Sequence, residues 1–346
     1  MAKLAAKYAL GLLLAAFLMW LVLRGADPRA LWAQIARASI VGLLACGAIN
    51  ASHNMFRVWR WRALLHPVRP AVPFRPMFDA VILGYLVTWT VPGRLGELVR
   101  PALLSGRERI PLAPCLGSVL ADRLVDGLAI LLLFAVGLSI TPLSGEAASV
   151  AHTLRLGSLL MVALISIPLI GLLAVSRARQ RLEAWWSASA SGPRRWLARA
   201  VVAFSAGTDA LKQPRLLLRV VVHSLAAWLT IALGLWIGVR SCGAPISFGA
   251  MLVILPALAL GVALPTPGGA GGFHAAMTFG LHALFGVDRA TAVGTGLLVH
   301  ASVVIPVIAL GAAILAAEHI PLRHLVEAAR QLRDLGAAPG EGGPTP

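Results

Sequence analysis

The sequence predicts an all-α, polytopic transmembrane helical bundle built as two inverted repeats, each with a re-entrant or broken helical hairpin. Three observations predict it. Of 346 residues, 58% are hydrophobic and only 13% charged, and the mean hydropathy is +0.82, values far from those of a soluble domain. Apolar runs near the roughly 20 residues that cross a bilayer recur along most of the chain. Two of them are broken by proline and glycine at matching places.

The first run, about 7–24, follows Lys3 and Lys7 and reads as a signal-anchor, because it is long enough to span and "RGADPRALWA" after it lacks a clean cleavage site. A second span, about 38–56, ends in "NASHNMF", where Asn50, His53 and Asn54 suit interhelical hydrogen bonding. The connection "RVWRWRALLHPVRPAVPFR" carries Arg57, Arg60, Arg62, Arg69 and Arg75 and no acid, which places it in the cytoplasm. The segment 77–104 is interrupted at "VPGRLGELVRP": Pro92 and Gly93 stop one helix, and Arg94, Glu97 and Arg100 begin another. A span at about 116–141 holds "SVLADRLVDG" in its first turns.

The loop 142–155, with one acid and one arginine, suits the outside, and a span at 156–175 follows. The loop 176–219 sets nine lysines and arginines against Glu183 and Asp209 and is again cytoplasmic. Within it, "PRRWLARAVVAFSAGTDALKQP" fits either an amphipathic helix on anionic lipid or an ordinary basic loop helix. A span at 220–240 begins beside His223, and the uncharged "SCGAPIS" faces outside. The segment 248–286 is broken by "LPTPGGAGGFHAAM", and the last span covers 290–316. Residues 1–320 thus form one transmembrane domain, with repeats at about 7–141 and 156–316, and 321–346 form a cytoplasmic, partly disordered tail. The loop after the first span, with Arg24, Arg29 and Arg37 against Asp27, counts against this orientation; the two larger basic loops outweigh it.

A formal charge of +16 invites a nucleic-acid reading. The basic residues lie between apolar spans instead of on one aromatic-interleaved face, so no nucleic-acid partner is expected. Cys46, Cys115 and Cys242 are scattered without metal-ligand spacing and read as packing residues.

The breaks carry physical meaning. Backbone groups freed at Pro92 and Gly93, or at Pro265, Pro267, Gly268 and Gly269, have no partner in lipid and need protein or water. Half-helix N-termini there offer N–H groups and a positive dipole end to a phosphate or carboxylate. Charged side chains within spans point to a lined cavity or to mutual pairing. Arg94, Glu97 and Arg100 follow at spacings of three, so Glu97 is placed to pair with either arginine while the other takes an anion through its planar fork. Asp122 and Asp126, four apart with Arg123 between them, either neutralise the arginines of the first hairpin or accept a proton. Nothing nearby supplies a metal site or a nucleophile.

Together these motifs resemble the lysylphosphatidylglycerol synthase transmembrane-region, or flippase-like, membrane proteins over roughly 8–316. "VPGRLGELVRP" is similar to the family's Pro-x-Arg-x-Gly-Glu-x-x-Arg, and "SVLADRLVDG" to its Ser-x-x-x-(Glu/Asp)-Arg-x-x-Asp. "LPTPGGAGGFHAAM" is similar to its Pro-x-Pro-Gly-Gly-x-Gly-x-x-Glu. The resemblance implies lipid translocation, which in bifunctional members accompanies a separate soluble synthase domain. This chain ends soon after its last span, so that domain, and synthase activity with it, is expected to be absent. Two departures stand out: His274 replaces the family's usual glutamate, and His300 its usual arginine in the last span. If those two pair in the family, the histidines are expected to face each other, as a proton-sensitive gate or headgroup contact, or as a neutral hydrogen-bonded pair.

The leading expectation is a flippase or scramblase for a polar or anionic-headgroup lipid in the bacterial inner membrane, with both termini cytoplasmic. Arg94 and Arg100 would bind the headgroup, held by Glu97, Asp122 and Asp126, which would also exchange protons, and Arg123, His274 and His300 complete the headgroup and translocation residues. No Walker motif is present, and neither cofactor nor metal is expected. The alternatives are a membrane-embedded enzyme on lipid-linked phosphate or sugar, using Asp122, Asp126 or His274, and a non-transporting partner of a lipid-synthesis or envelope complex.

Overall fold

A computed structural model describes residues 2–91, 95–142, 146–178, 181, 201–264 and 266–327. Among these, every regular element is helical. Helix α1 (Ala2–Leu23) turns through Gly25 and Asp27 into α2 (Pro28–Arg37), and the two axes meet at 92°. The turn is locally encoded: Gly25 takes a positive φ, Asp27 caps α2 by accepting the Arg29 N–H, and Pro28 fills the first helical position. The stretch after the first span, read as a loop, is therefore a short amphipathic helix.

Helix α3 (Ile40–Leu65) leads to a hairpin of α4 (Phe74–Thr90) and α5 (Gly96–Glu108), then to the long α6 (Leu112–Ile140) and α7 (Glu146–Arg177). A 3-10 helix (Ala206–Lys212) precedes α8 (Pro214–Ser241). The second hairpin is α9 (Phe248–Ala263) and α10 (Gly272–Thr278), which passes into a π-helical stretch (Phe279–Leu284); α11 (Arg289–Glu318) follows. Among the described residues, four helices are long and apolar enough to cross a bilayer, namely α6, 156–177 within α7, α8 and α11; the bent α1–α2 pair qualifies as a fifth. The chain is thus a multi-pass helical membrane protein.

Three boundaries differ from the sequence reading. Helix α3 runs nine residues beyond 56, through Arg57, Arg60 and Arg62, because the first two arginines find buried counter-charges within the bundle. Helix α7 begins at Glu146, so most of the expected external loop 142–155 is helix. The part of the basic region described at 201–212 does not lie open on lipid: Val202, Ser205, Thr208, Ala210 and Leu211 are buried, with Phe204 against Gly117 of α6. Residues 182–200 of that region and the tail beyond 327, expected to be disordered, lie outside the described residues.

The centre is the α3–α8 pair. Cys46 meets Gly238, Asn50 meets Gly234 and Arg60 meets Ser224, so the helices run antiparallel. Around them the halves pack reciprocally: α6 lies on α9 as α11 lies on α4, and α5 touches α6 as α10 touches α11. Buried residues form one core among α8 to α11 and another among α3, α4, α6 and the 3-10 helix. The apolar window of α7 has none of its residues buried, as expected of a helix solvated by lipid chains. Leu325 and Val326 pack under the first hairpin with Leu83 and Val99.

Each hairpin closes on a pair of glycines. A methyl at Gly96 would stand 1.9 Å from the Gly84 carbonyl oxygen, and one at Gly272 would stand 2.1 Å from that of Gly261. Backbone cannot yield there without parting the limbs, so Gly96→Ala is expected to cost about 3 kcal/mol in a mixed-micelle unfolding titration. Gly106→Ala on the same helix, with open space at its Cβ, is the matched control and should be near neutral.

Asp288 caps α11 by accepting the Thr291 N–H at 3.0 Å, and that bond holds its carboxyl below the usual carboxylate range. Its contribution is therefore present above the unfolded-state pKa and fades as pH falls through the lower folded value. Asp288→Ala should cost about 1 kcal/mol at neutral pH and progressively less in acid, read from unfolding curves across pH.

Candidate functional site

Three helices, α3, α5 and α6, bring one charged network into the bundle. Asp122 and Asp126, one turn apart on α6, face Arg57 and Arg60, three apart on α3. Arg60 and Asp122 are fully buried. Arg60 bridges both acids, with Nε 2.6 Å from Asp122 Oδ1 and Nη1 2.5 Å from Asp126 Oδ1. Arg57 Nη1 lies 2.9 Å from Asp126 Oδ2, its guanidinium held between the Tyr85 and Trp228 rings. Trp228 Nε1 donates to Asp126 at 2.7 Å, and the Ser224 hydroxyl accepts from Arg60 at 3.2 Å.

Arg123 reaches Asp122 at 2.9 Å, Asp126 at 3.4 Å and Glu97 at 3.6 Å, so it ties α6 to the start of α5. Arg100, from α5, is held more loosely. Its Nη1 is 3.3 Å from Asp122 Oδ2, and its guanidinium stacks 4.9 Å from the centre of the Trp61 ring, which is fixed by an Nε1–H bond to Ser118. Only 2% of Arg100 is exposed, and among the described residues its Nε and Nη2 have no hydrogen-bond partner. Four guanidiniums against the carboxylates of Glu97, Asp122 and Asp126 leave one net positive charge in these described groups. Buried donors carrying that excess suit an anion with several acceptor oxygens.

The first hairpin's expected headgroup residues are thus only partly described: Arg100 and Glu97 join the network, whereas Pro92, Gly93 and Arg94 lie outside the described residues. Glu97 pairs with Arg123, because α6 presents Arg123 to the first turn of α5, and Arg100 turns instead to Asp122. The aspartates do meet Arg100, but their closest arginines are those of α3. Arg57 and Arg60, which the positive-inside pattern places in a cytoplasmic connection, instead anchor the network from α3. A signal was present: Asn50, Asn54, Arg57 and Trp61 repeat at four, three and four, a polar stripe of one helix face matching the Asp122/Asp126 spacing.

The second break sits against the end of the first hairpin. Gly268, Gly269 and Gly271 all take positive φ, the conformation that glycine allows without a Cβ clash, and Gly269 lies under the Trp89 ring of α4. Pro267 opens the short 3-10 turn, and Pro265 lies outside the described residues. The rings of His274 and His300 stand 4.6 Å apart, flanked by Phe273 and Trp89. His300 Nε2–H donates to the Gly268 carbonyl at 2.8 Å, and His274 Nδ1 accepts the Gly271 N–H at 3.2 Å. Accepting through Nδ1 places the His274 proton on Nε2 of a neutral ring. Both histidines therefore pin the glycine turn. His300→Ala should orphan the Gly268 carbonyl and cost about 1–3 kcal/mol in the same unfolding assay, whereas His300→Gln, which keeps a donor, should recover much of it.

The lysylphosphatidylglycerol synthase transmembrane region matches residues 8–311, nearly the whole membrane-embedded chain. The chain belongs to that family. As a lysylphosphatidylglycerol synthase transmembrane-region protein, it is a membrane protein related to lipid metabolism or transport. Among curated proteins, none matches the chain. In this family member the two breaks are not equivalent in charge. Asp122, Arg123 and Asp126 stand on α6, which packs on α5 of the first hairpin, whereas α11, which packs on α10 of the second, carries His300. The carboxylates thus lie beside the first hairpin, and the second is flanked by histidines. Among the described residues, no cluster of histidine, cysteine and carboxylate side chains is arranged to hold a metal, and Cys46, Cys115 and Cys242 are free and buried.

Proposed function

We propose that the protein is a flippase- or scramblase-like transporter that moves a lipid with an anionic or polar headgroup across the bacterial inner membrane, both termini lying in the cytoplasm. One observation carries the reading: a guanidinium, that of Arg100, lies almost fully inside a membrane bundle with two donor nitrogens unpartnered among the described residues, whose network there carries excess positive charge beside a helix break. Such a fork binds a phosphate through parallel hydrogen bonds while the acyl chains remain in lipid. The clamped aspartates support a headgroup site over acid–base chemistry, since each is engaged by arginines and neither stands free as a base.

The two halves read as an inverted repeat. The antiparallel α3–α8 pair, the reciprocal packing and the matched glycines support it, because a twofold relating two antiparallel helices runs across them, within the membrane plane. Rocking of one half against the other about this pair would expose the network alternately, with Gly268, Gly269 and Gly271 as the compliant backbone. The test is transfer of fluorescent phosphatidylglycerol between leaflets of proteoliposomes by the parent and by Arg100→Gln. Absence of transfer by folded parent protein, for this and for glycosylated and aminoacylated lipids, would overturn the proposal.

A further inference from the structure

On the outer side of the α3–α8 pair lies a second basic feature, separate from the buried network. A cavity of about 580 Å³ is lined by Trp59, Arg62 and His66 from the end of α3, by Pro70, and by Arg219 and His223 from the start of α8. Among the described residues, no carboxylate lines it and neither Arg62 nor Arg219 forms an ion pair. His223 donates from Nδ1 to the Arg219 carbonyl at 2.6 Å, which fixes the ring and leaves Nε2 as its other polar atom. Trp59, 42% exposed, packs its ring 5.9 Å from that of His223.

The surroundings are apolar. Trp59 contacts Phe74, which stacks on Phe78, so an aromatic shelf leads away from the cavity along α4. On α8, Leu218 and Val222 are exposed on either side of Arg219. A cationic hollow with no counter-charge among the described residues, edged by a tryptophan and continuous with exposed aliphatic and half-buried aromatic side chains, matches a phosphate joined to acyl chains. It sits where the helices meet the two basic connections, the depth at which a headgroup lies.

We propose that this cavity is a binding site for the phosphate of an anionic phospholipid, with Arg62 and Arg219 as its ligands, His66 and His223 as further donors, and the Trp59–Phe74 shelf receiving an acyl chain. The site is distinct from the Arg100 network and does not require transport. It is tested by native mass spectrometry of the full chain in detergent, with phosphatidylglycerol, phosphatidylcholine of the same acyl chains, and inorganic phosphate as probes. The parent should prefer phosphatidylglycerol, and raising the salt about tenfold should remove that preference but not the residual phosphatidylcholine binding. Arg62→Gln with Arg219→Gln should weaken phosphatidylglycerol at least about tenfold, the loss of one or more charge-assisted hydrogen bonds, with an unchanged thermal unfolding curve because both side chains are exposed. Phosphatidylglycerol binding that is equal in the double variant, or a parent preference that survives salt, would overturn the site. Inorganic phosphate that competes as well as the lipid would assign the cavity to a free anion and overturn the lipid.

Discussion

Asp126→Asn should destabilise the protein by about 3–5 kcal/mol, the cost of stranding buried charge after one partner is removed. Asp126 accepts Arg57, Arg60 and Trp228 and also faces Arg123. Neutralising it leaves four arginines in these described groups against Asp122 and Glu97, in surroundings where water does little to screen them. The isosteric amide keeps the volume, so the loss reports charge and not a cavity. Adding Arg57→Gln removes one positive charge and should recover about half of the loss, a coupling of roughly 1–3 kcal/mol in a double-mutant cycle. Unfolding in mixed micelles measures both quantities. Asp126→Asn within about 0.5 kcal/mol of the parent would mean that water, not the carboxylate, holds Arg57 and Arg60.

Arg100→Gln should reduce lipid transfer at least about tenfold while lowering stability by no more than about 1 kcal/mol. The asymmetry follows from the geometry. Asp122 is held by Arg60 at 2.6 Å and Arg123 at 2.9 Å, and by Arg100 only at 3.3 Å, so Arg100 can leave without stranding the acid. The donors it removes are the unpartnered Nε and Nη2, those available to a headgroup, and loss of one charge-assisted contact to phosphate corresponds to about a tenfold effect or more. Arg100→Lys should restore only part of the rate, since an ammonium supplies the charge without the planar fork. Stopped-flow quenching of fluorescent lipid in proteoliposomes gives the rate, and unfolding curves give the stability. Parental transfer by Arg100→Gln would remove Arg100 from the path of the lipid.

The two classes of site residue differed in how far they could be read from sequence. The breaks were legible because proline and glycine act locally: Pro267 and the three positive-φ glycines, 268, 269 and 271, fall within the motif that named them. The approach of His274 and His300 was expected from a family pattern, and the structure places their rings side by side. Arg57 and Arg60 were missed because the usual rule reads basic residues beside an apolar run as a cytoplasmic flank. That rule assumes no counter-charge within reach. Nor could the sequence foresee that Glu97 would face Arg123, since helical spacing ranks neighbours only on its own helix.

By itself, the sequence determined the properties that short stretches carry: a helical membrane chain, apolar lengths matched to a bilayer, two apolar segments interrupted by proline and glycine, and a family whose pattern spans nearly all of it. It also showed that the charges of α5 and α6 were too costly to face lipid. Tertiary structure alone decided where those charges are balanced. Arg57 and Asp126 stand 69 residues apart in the chain, and Arg60 and Asp126 stand 66 apart, yet each pair shares hydrogen-bond distance. Burial in a low dielectric sets the penalty for an unpaired charge, which can be read from residue type and position. Which guanidinium relieves it depends on how α3, α5 and α6 pack, a contact between helices that no local periodicity encodes.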